Sequence, residues 1–510
     1  MRRKIVPLTV FAAILPAVLL AQDPAVAPQR LTLGEAINLA RQNAPAYRQV
    51  LNDGDVAAAQ TRAAYGSLMP QVSTSAGLGY SRAGRQQLAN QIFSQGSSTI
   101  TSSYDVSVSM GLSYGRLLAP AEGRAQQRAT EEGIAAAEVN LVTDVTLQYL
   151  AALRADASVE VAVQQVARNA DFLELARAQF QVGRGNMVEV RQAEVAKANA
   201  DVQLLRARQQ ATDARIELLR RVGLPAGAAV SSLVLPEQFA LTQPRFDLAA
   251  LQRQAREQNP QLRAADARAD AARIGVRSAR AEYFPSIGIS TGLSGFTQQA
   301  TNVDRLLAGQ VAGAQGAVAN CAFQNAILER LTSPHPAPNG GIIPDCNAYA
   351  GLDASGTRLL PDVEQGIRDA NDNFPFGFTR SPWSISLGVS LPIFDGFARE
   401  ARISSARAQA DDAREALRGE RLLIDGQVQS QLRAVETNWQ AAQIADSNRV
   451  AAREQLALAR ERYRVGSGTA LEVADAQNAA TQAEAGYVNA VYDYHSAIAG
   501  LEAAVGRPLR

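Results

Sequence analysis

The sequence predicts a mixed fold: a membrane β-barrel with four strands per chain, joined to long α-helices of the coiled-coil kind. Three observations carry that expectation. The chain repeats itself, four segments alternate with period two, and the helical patterns run far beyond ordinary globular lengths.

The duplication comes first. Residues 31–225 and 246–508 are two divergent repeats, joined by a connection at 226–245 that carries Pro236 and Pro244. Pro45 matches Pro260, Pro70 matches Pro285 and Gly77-Leu78 matches Gly292-Leu293, each at an offset of 215. Further on, Phe180-x-Val182-Gly183-x-Gly185 matches Tyr463-x-Val465-Gly466-x-Gly468, and Val222-Gly223-x-Pro225 matches Val505-Gly506-x-Pro508, at an offset of 283.

Residues 1–21 read as a signal peptide: Arg2, Arg3 and Lys4, an apolar run from Ile5 to Leu20, then the small Ala21. The run is shorter than the roughly 20 residues a spanning helix needs. No Cys follows it, so no lipoprotein anchor is signalled.

The first repeat opens with Thr32-x-x-Glu35, a capping box. A helix to about Asn43 follows, then a second from Pro45 to about Leu68, ended by Pro70. Strands are predicted at about 71–81 and 104–114, and in the second repeat at about 286–296 and 383–392. In each, apolar residues alternate with Ser and Gly, as Val106, Val108 and Met110 do with Asp105, Ser107 and Ser109. A tilted strand needs roughly 9–11 residues to cross a bilayer. One apolar face and one small polar face suit a barrel wall. Four strands cannot close a barrel, and lipid does not tolerate open edges, so spanning strands require several chains to pool them. Residues 297–381, rich in Gly, Pro and Asn, read as an irregular extracellular insertion between the last two strands.

The helices follow heptads. Ile403, Ala410, Leu417 and Ile424 step by seven, as do Val428, Val435 and Ala442; no Pro interrupts 398–465. A helix of that length extends about 100 Å, far beyond a bilayer core of about 30 Å. In the first repeat Val159, Val163, Val166, Ala170, Leu173 and Phe180 form the corresponding seam. Pairing Tyr149 with Trp439 leaves the first repeat 11 residues short, which predicts that the two copies differ in helix continuity near the middle.

Charge excludes some functions. Lys and Arg number 50 against 49 Asp and Glu, a net of +1; loss of the leader's three basic residues makes it 1 − 3 = −2. That gives no electrostatic case for nucleic acid. His335 and His495 stand in no metal-ligand or triad spacing, so neither an enzyme, a cofactor nor a metal is expected. Cys321 and Cys346, both in the insertion of an exported chain, are candidates for a disulfide.

Two constellations remain. Val182-Gly183-Arg184-Gly185 and Val465-Gly466-Ser467-Gly468 break long helices and restart them, as helical-hairpin turns do. They are also candidate docking tips. Glu472 and Asp475 share a helix face just after the second turn, and Glu189 matches Glu472. They read either as a solvated helix face or, in a ring of chains, as a negative collar.

Together these residues resemble the TolC family of outer-membrane channels. The resemblance runs from Leu31 to Pro508 outside the insertion. It is carried by the duplication, by Leu391-Pro-Ile-Phe-Asp-Gly396, and most of all by Tyr463-Arg-Val-Gly466-x-Gly-Thr-x-x-Glu472-Val-x-Asp475-Ala. It implies a homotrimer whose pooled strands form a 12-stranded barrel in the outer membrane of a Gram-negative bacterium, continued by a periplasmic helical tunnel. It implies export rather than catalysis, with a periplasmic adaptor docking at the tips around Val182, Gly183, Gly185, Val465, Gly466 and Gly468. The pump would be an inner-membrane partner of RND, ABC or MFS type. Glu472 and Asp475 match the family's acidic gate positions. Gly468 departs from the pattern, standing where some members carry a basic latch. A protein-secretion duct would use the same body, and a periplasmic scaffold without a pore is a reading of a different class.

Overall fold

The computed structural model describes residues 30–509 apart from 89–90, 96, 228–229, 231–232, 238 and 334, so the predicted signal peptide lies outside the described residues. The chain divides into two compact units. One is helical and comprises residues up to Arg62, Ala121–Val276 and Ile403–Arg510; the other comprises Ala63–Pro120 and Arg277–Arg402 and carries the strands.

The helical unit is built twice. α1 (Leu33–Asn43) and α2 (Pro45–Gly66) lead the first repeat, and the hairpin of α3 (Tyr114–Gln181) and α4 (Met187–Val222) follows. α5 (Leu248–Gln258) and α6 (Pro260–Arg280) lead the second, which ends in α10 (Ala398–Arg464) and α11 (Ala470–Val505). The Thr32–Glu35 capping box is formed in both directions, at 3.2 and 2.9 Å. Glu237 from the connection accepts from the N–H of Leu33, placing a carboxylate at the positive end of α1.

Each repeat has its own core, and the two cores match residue by residue. Val145, Tyr149, Ala152, Leu218 and Val222 are buried in the first; Val428, Leu432, Val435, Leu501 and Val505, each 283 residues on, are buried in the second. That matching corrects the expected break. α3 and α10 are both unbroken, with 68 and 67 residues, and Tyr149 corresponds to Leu432 rather than to Trp439. The copies differ instead where strand meets helix. In the first repeat the strand ending at Ser113 passes directly into α3 at Tyr114, whereas Leu391 to Phe397 intervene before α10.

The seam of the second repeat is observed, with Ile403, Leu417, Ile424, Val428, Val435 and Ala442 buried. That of the first repeat is observed in part: Leu173 is buried and Val159, Val166 and Ala170 are half-buried. Ala162, Asn169 and Ala176 line the contact with Phe172 and Leu173, while Val163 and Phe180 are exposed. The contact thus mixes small residues, Ala162 and Ala176, with the larger Asn169, Phe172 and Leu173.

The other unit is centred on an antiparallel sheet. Its strands are β1 (Gln71–Ser81), β4 (Thr99–Ser113), β5 (Ser286–Ala300) and β7 (Ser384–Ser390), paired in that order, with the two-residue β6 (Thr379–Arg380) also on β5. Register sorts the side chains onto two faces. Val72 lies opposite Val108, Val106 opposite Leu293, and Ile289 opposite Leu387. On the other face Ser73 meets Ser107, Ser109 meets Ser290, and Gly111, Gly288 and Gly388 form one row. Each central strand is longer than predicted, reaching 99–113 and 286–300, and β7 is shorter. A hairpin of β2 (Gly84–Leu88) and β3 (Gln91–Gln95) was not expected; its polar residues carry no alternating apolar signal.

The insertion is ordered rather than irregular. It holds α7 (Val303–Leu328), α8 (Cys346–Tyr349) and α9 (Pro361–Asn371). Asn371 ties it to the sheet, donating to the Ala300 carbonyl at 3.1 Å and accepting from its N–H at 2.8 Å. Cys321 and Cys346 are joined by a disulfide, their Cα atoms 5.8 Å apart. Among the described residues no helix is long and apolar enough to cross a membrane.

Candidate functional site

The two Gly-x-Gly segments form the same turn. Gly183 donates to the Phe180 carbonyl at 3.1 Å, and Arg184 and Gly185 both donate to Gln179; Gly466, Ser467 and Gly468 repeat this with Tyr463 and Arg462. The first glycine of each pair has positive φ, 70° at Gly183 and 85° at Gly466, a region that costs an L side chain about 1–2 kcal/mol. At the second, a side chain would meet close contact instead. A Cβ on Gly185 would stand 3.2 Å from the Phe180 nitrogen, and one on Gly468 3.0 Å from the Arg462 Cβ. Val182 and Val465 stand beside the turns at 69% and 60% exposure, apolar residues with no covering partner in one chain.

Both exits are capped alike. The Asn186 side chain accepts from the Glu189 N–H at 2.9 Å and the Thr469 side chain from the Glu472 N–H at 3.2 Å. Both glutamates therefore lie in a first helical turn, where the backbone N–H groups favour negative charge. The sequence held this signal: Asn186-x-x-Glu189 and Thr469-x-x-Glu472 are cap spacings.

The candidate acids do not gather within one chain. Glu189 accepts from the Tyr463 hydroxyl at 3.1 Å, across the two hairpins. Burial, then the Glu189 hydrogen bond, pushes that phenol up to about 12. Glu472 pairs with Arg462 at 3.4 Å. Arg462 thus supplies a cation beside the acid although position 468 is Gly. Asp475 is exposed and forms no ion pair among the described residues. The hairpins pack through Phe172, Leu173, Ala176, Val190 and Ala193 against Tyr463, Ala470 and Val473.

A second polar contact links the hairpins, and local sequence gave no sign of it. Glu484, its side chain 4% exposed, receives Arg168 at 3.0 Å and Arg453 at 3.0 Å. Arg168 also donates to Thr481, and its own carbonyl accepts from Arg460 and Gln477. A carboxylate this deep is tolerated because two guanidiniums neutralise it; loss of one partner would leave a buried charge. Among the described residues no cluster of His, Cys, Asp and Glu could hold a metal.

Comparison with known proteins agrees with this architecture. The family model described as outer membrane efflux protein matches residues 36–224 and 347–507, well over half of the chain. The toluene efflux pump outer membrane protein TtgF of Pseudomonas putida is 30% identical over 268 residues; the match spans 50% of this chain and 52% of that relative. The chain thus spans about half the length of the curated relatives it matches. Among solved structures, a membrane protein from Pseudomonas aeruginosa superposes with a TM-score of 0.65 at 21% identity, covering 95% of this chain and 92% of that one. The outer membrane protein VceC of Vibrio cholerae gives 0.66 at 16% identity, covering 94% and 97%. These likenesses show the fold, a strand-bearing unit joined to long paired helices. The chain belongs to the outer membrane efflux protein family, whose members are channels of the Gram-negative outer membrane and not enzymes.

Proposed function

We propose that the chain is the outer-membrane duct of a tripartite efflux machine, working as a homotrimer with a periplasmic adaptor and an inner-membrane pump. The sheet carries this reading. It has one apolar and one Ser/Gly face, and the outer edges of β1 and β7 have no partner strand among the described residues. In lipid those edges must be paired, and three copies of the four strands supply a closed 12-stranded wall with its apolar face outward. Aromatic residues exposed near the sheet's helix-side end, Phe284, Phe394 and Phe397, suit the membrane interface.

The tips are the adaptor's docking site in this reading, since rigid turns expose Val182 and Val465 while the capped helices hold them in place. The name of the Pseudomonas putida relative favours small apolar molecules as cargo over a secreted protein. The insertion faces the cell exterior, an oxidising setting that suits the Cys321–Cys346 bond.

The test is complementation of a strain lacking its own duct. The intact chain should restore resistance to toluene and lipophilic antibiotics and extract in detergent as a trimer. Gly183→Val with Gly466→Val should abolish resistance yet leave the membrane trimer intact. A monomeric, water-soluble product would sink the duct reading, and full resistance in the double variant would move docking elsewhere.

A further inference from the structure

Across β1, β4, β5 and β7 a single residue, Asp105, is an Asp, Glu, Lys or Arg. Register sets it between Ser75 on one side and Ser294 on the other, on the Ser/Gly face. It forms no hydrogen bond or ion pair among the described residues. Its neighbours along that face are Ser103 and Ser107 in its own strand and Phe296 on β5, while Arg380 of β6 is in register with Gly295 and so belongs to the opposite face.

A charge of opposite sign does stand on the same face. Arg116, in the first turn of α3, donates to the Gly111 carbonyl at 2.7 Å, and its Nη1 lies 2.9 Å from where a Gly111 Cβ would be. Asp105 and Gly111 are six residues apart in β4. That is about 20 Å of strand. The separation exceeds the Debye length of about 8 Å at physiological salt, so the two charges act separately.

We propose that Asp105 sets the ion selectivity of the strand-lined part of the conduction path. The inference rests on the duct reading above, in which the Ser/Gly face lines the lumen. Three chains then carry three Asp105 carboxylates at one height, on a wall made mostly of Ser hydroxyls and Gly backbone, with Phe296 opposite Ser103 and Arg116 over Gly111. A ring of fixed negative charge in a pore attracts cations and repels anions. Low-dielectric surroundings focus its field into the lumen. The residue stands far along the sequence from Glu472 and Asp475, so its effect is separable from theirs.

The experiment uses the full chain in planar bilayers, with reversal potentials read across a KCl gradient. In salt of about 0.1 M the wild type should prefer cations, and the preference should fade at about 1 M, where the Debye length is near 3 Å. Asp105→Asn should lower the cation-to-anion permeability ratio by about twofold or more, and Asp105→Lys should shift it toward anions. Because the native cysteines are bonded to each other, Asp105→Cys adds one free thiol. A water-soluble methanethiosulfonate should label it in the conducting channel and should not label Val106→Cys. An unchanged reversal potential in a conducting Asp105→Asn channel overturns the proposal, as does an unlabelled Asp105→Cys. If Asp105→Asn fails to assemble, Asp105→Ser, which copies the flanking residues, gives the same reading. A wild-type chain that never conducts sinks the duct reading itself, an outcome distinct from conduction without selectivity.

Discussion

Tyr463 is where the two hairpins exchange a hydrogen bond, and it makes their contact sensitive to alkali. Its phenol, ordinarily near 10, is held up at about 12 by burial first and the Glu189 carboxylate second. Below pH 10 the phenol is neutral whether the tip is folded or open, and the contact contributes in full. Between about 10 and 12 the open form ionises first, so the stabilisation is lost as pH rises. Tyr463→Phe should cost about 1 kcal/mol at neutral pH and flatten that alkaline loss. Hydrogen exchange of the tip amides from pH 7 upward, corrected for intrinsic rates, would check it; identical profiles in both proteins would refute the role of the hydroxyl. Glu189 and Glu472 were legible in the sequence because the duplication pairs them. Their partners were only half legible. Arg462 lies ten residues before Glu472 across a turn, whereas Tyr463 and Glu189 are 274 apart in sequence. No local spacing reports such a contact, and the same holds for Arg168 and Glu484.

Among elements, the strands read most clearly, because a face set against lipid and a face set against water leave a strict alternation. Val108 lies on the apolar face and Ser107, its neighbour, on the other. Val108→Arg should therefore destabilise the assembled barrel by about 2–4 kcal/mol if it sits near the bilayer midplane, and Ser107→Arg by far less. Urea titration of trimer folded into detergent or lipid would measure both, and equal costs would argue against a lipid-facing sheet. The elements that were misread share a cause. α7 contains Gly309, Gly313 and Gly316, which look like loop residues, yet they fall at helical spacing within an Ala-rich run. The seam of α3 was assigned in part to Val163 and Phe180, although packing buries Ala162 and Ala176 beside the expected Leu173. Composition misleads where small residues serve close contact rather than flexibility.

At the scale of the whole molecule, an acidic gate would need several chains, because within one chain Glu189 is engaged by Tyr463, Glu472 by Arg462, and Asp475 is exposed. Three copies would gather Glu472 and Asp475 around one mouth. Glu472→Gln with Asp475→Asn should then relieve block of the channel by trivalent cations such as hexamminecobalt, read as single-channel current at micromolar blocker. Unchanged block would return these acids to the role of solvated helix residues, Glu472 being paired with Arg462. The count of strands already argues for a barrel shared between chains, since four cannot close. One detail of the sheet reaches further. Ser73 is bonded to Ser107 at 2.8 Å and Ser290 to Ser386 at 2.6 Å, and Gly111, Gly288 and Gly388 leave a row with no side chains at all. Along this stretch those four hydroxyls are occupied with each other and long side chains are few, Arg116 being held on the Gly111 carbonyl. Such a stretch offers little for an uncharged solute to hold, so its residence there is brief and discrimination among uncharged cargoes falls elsewhere along the path.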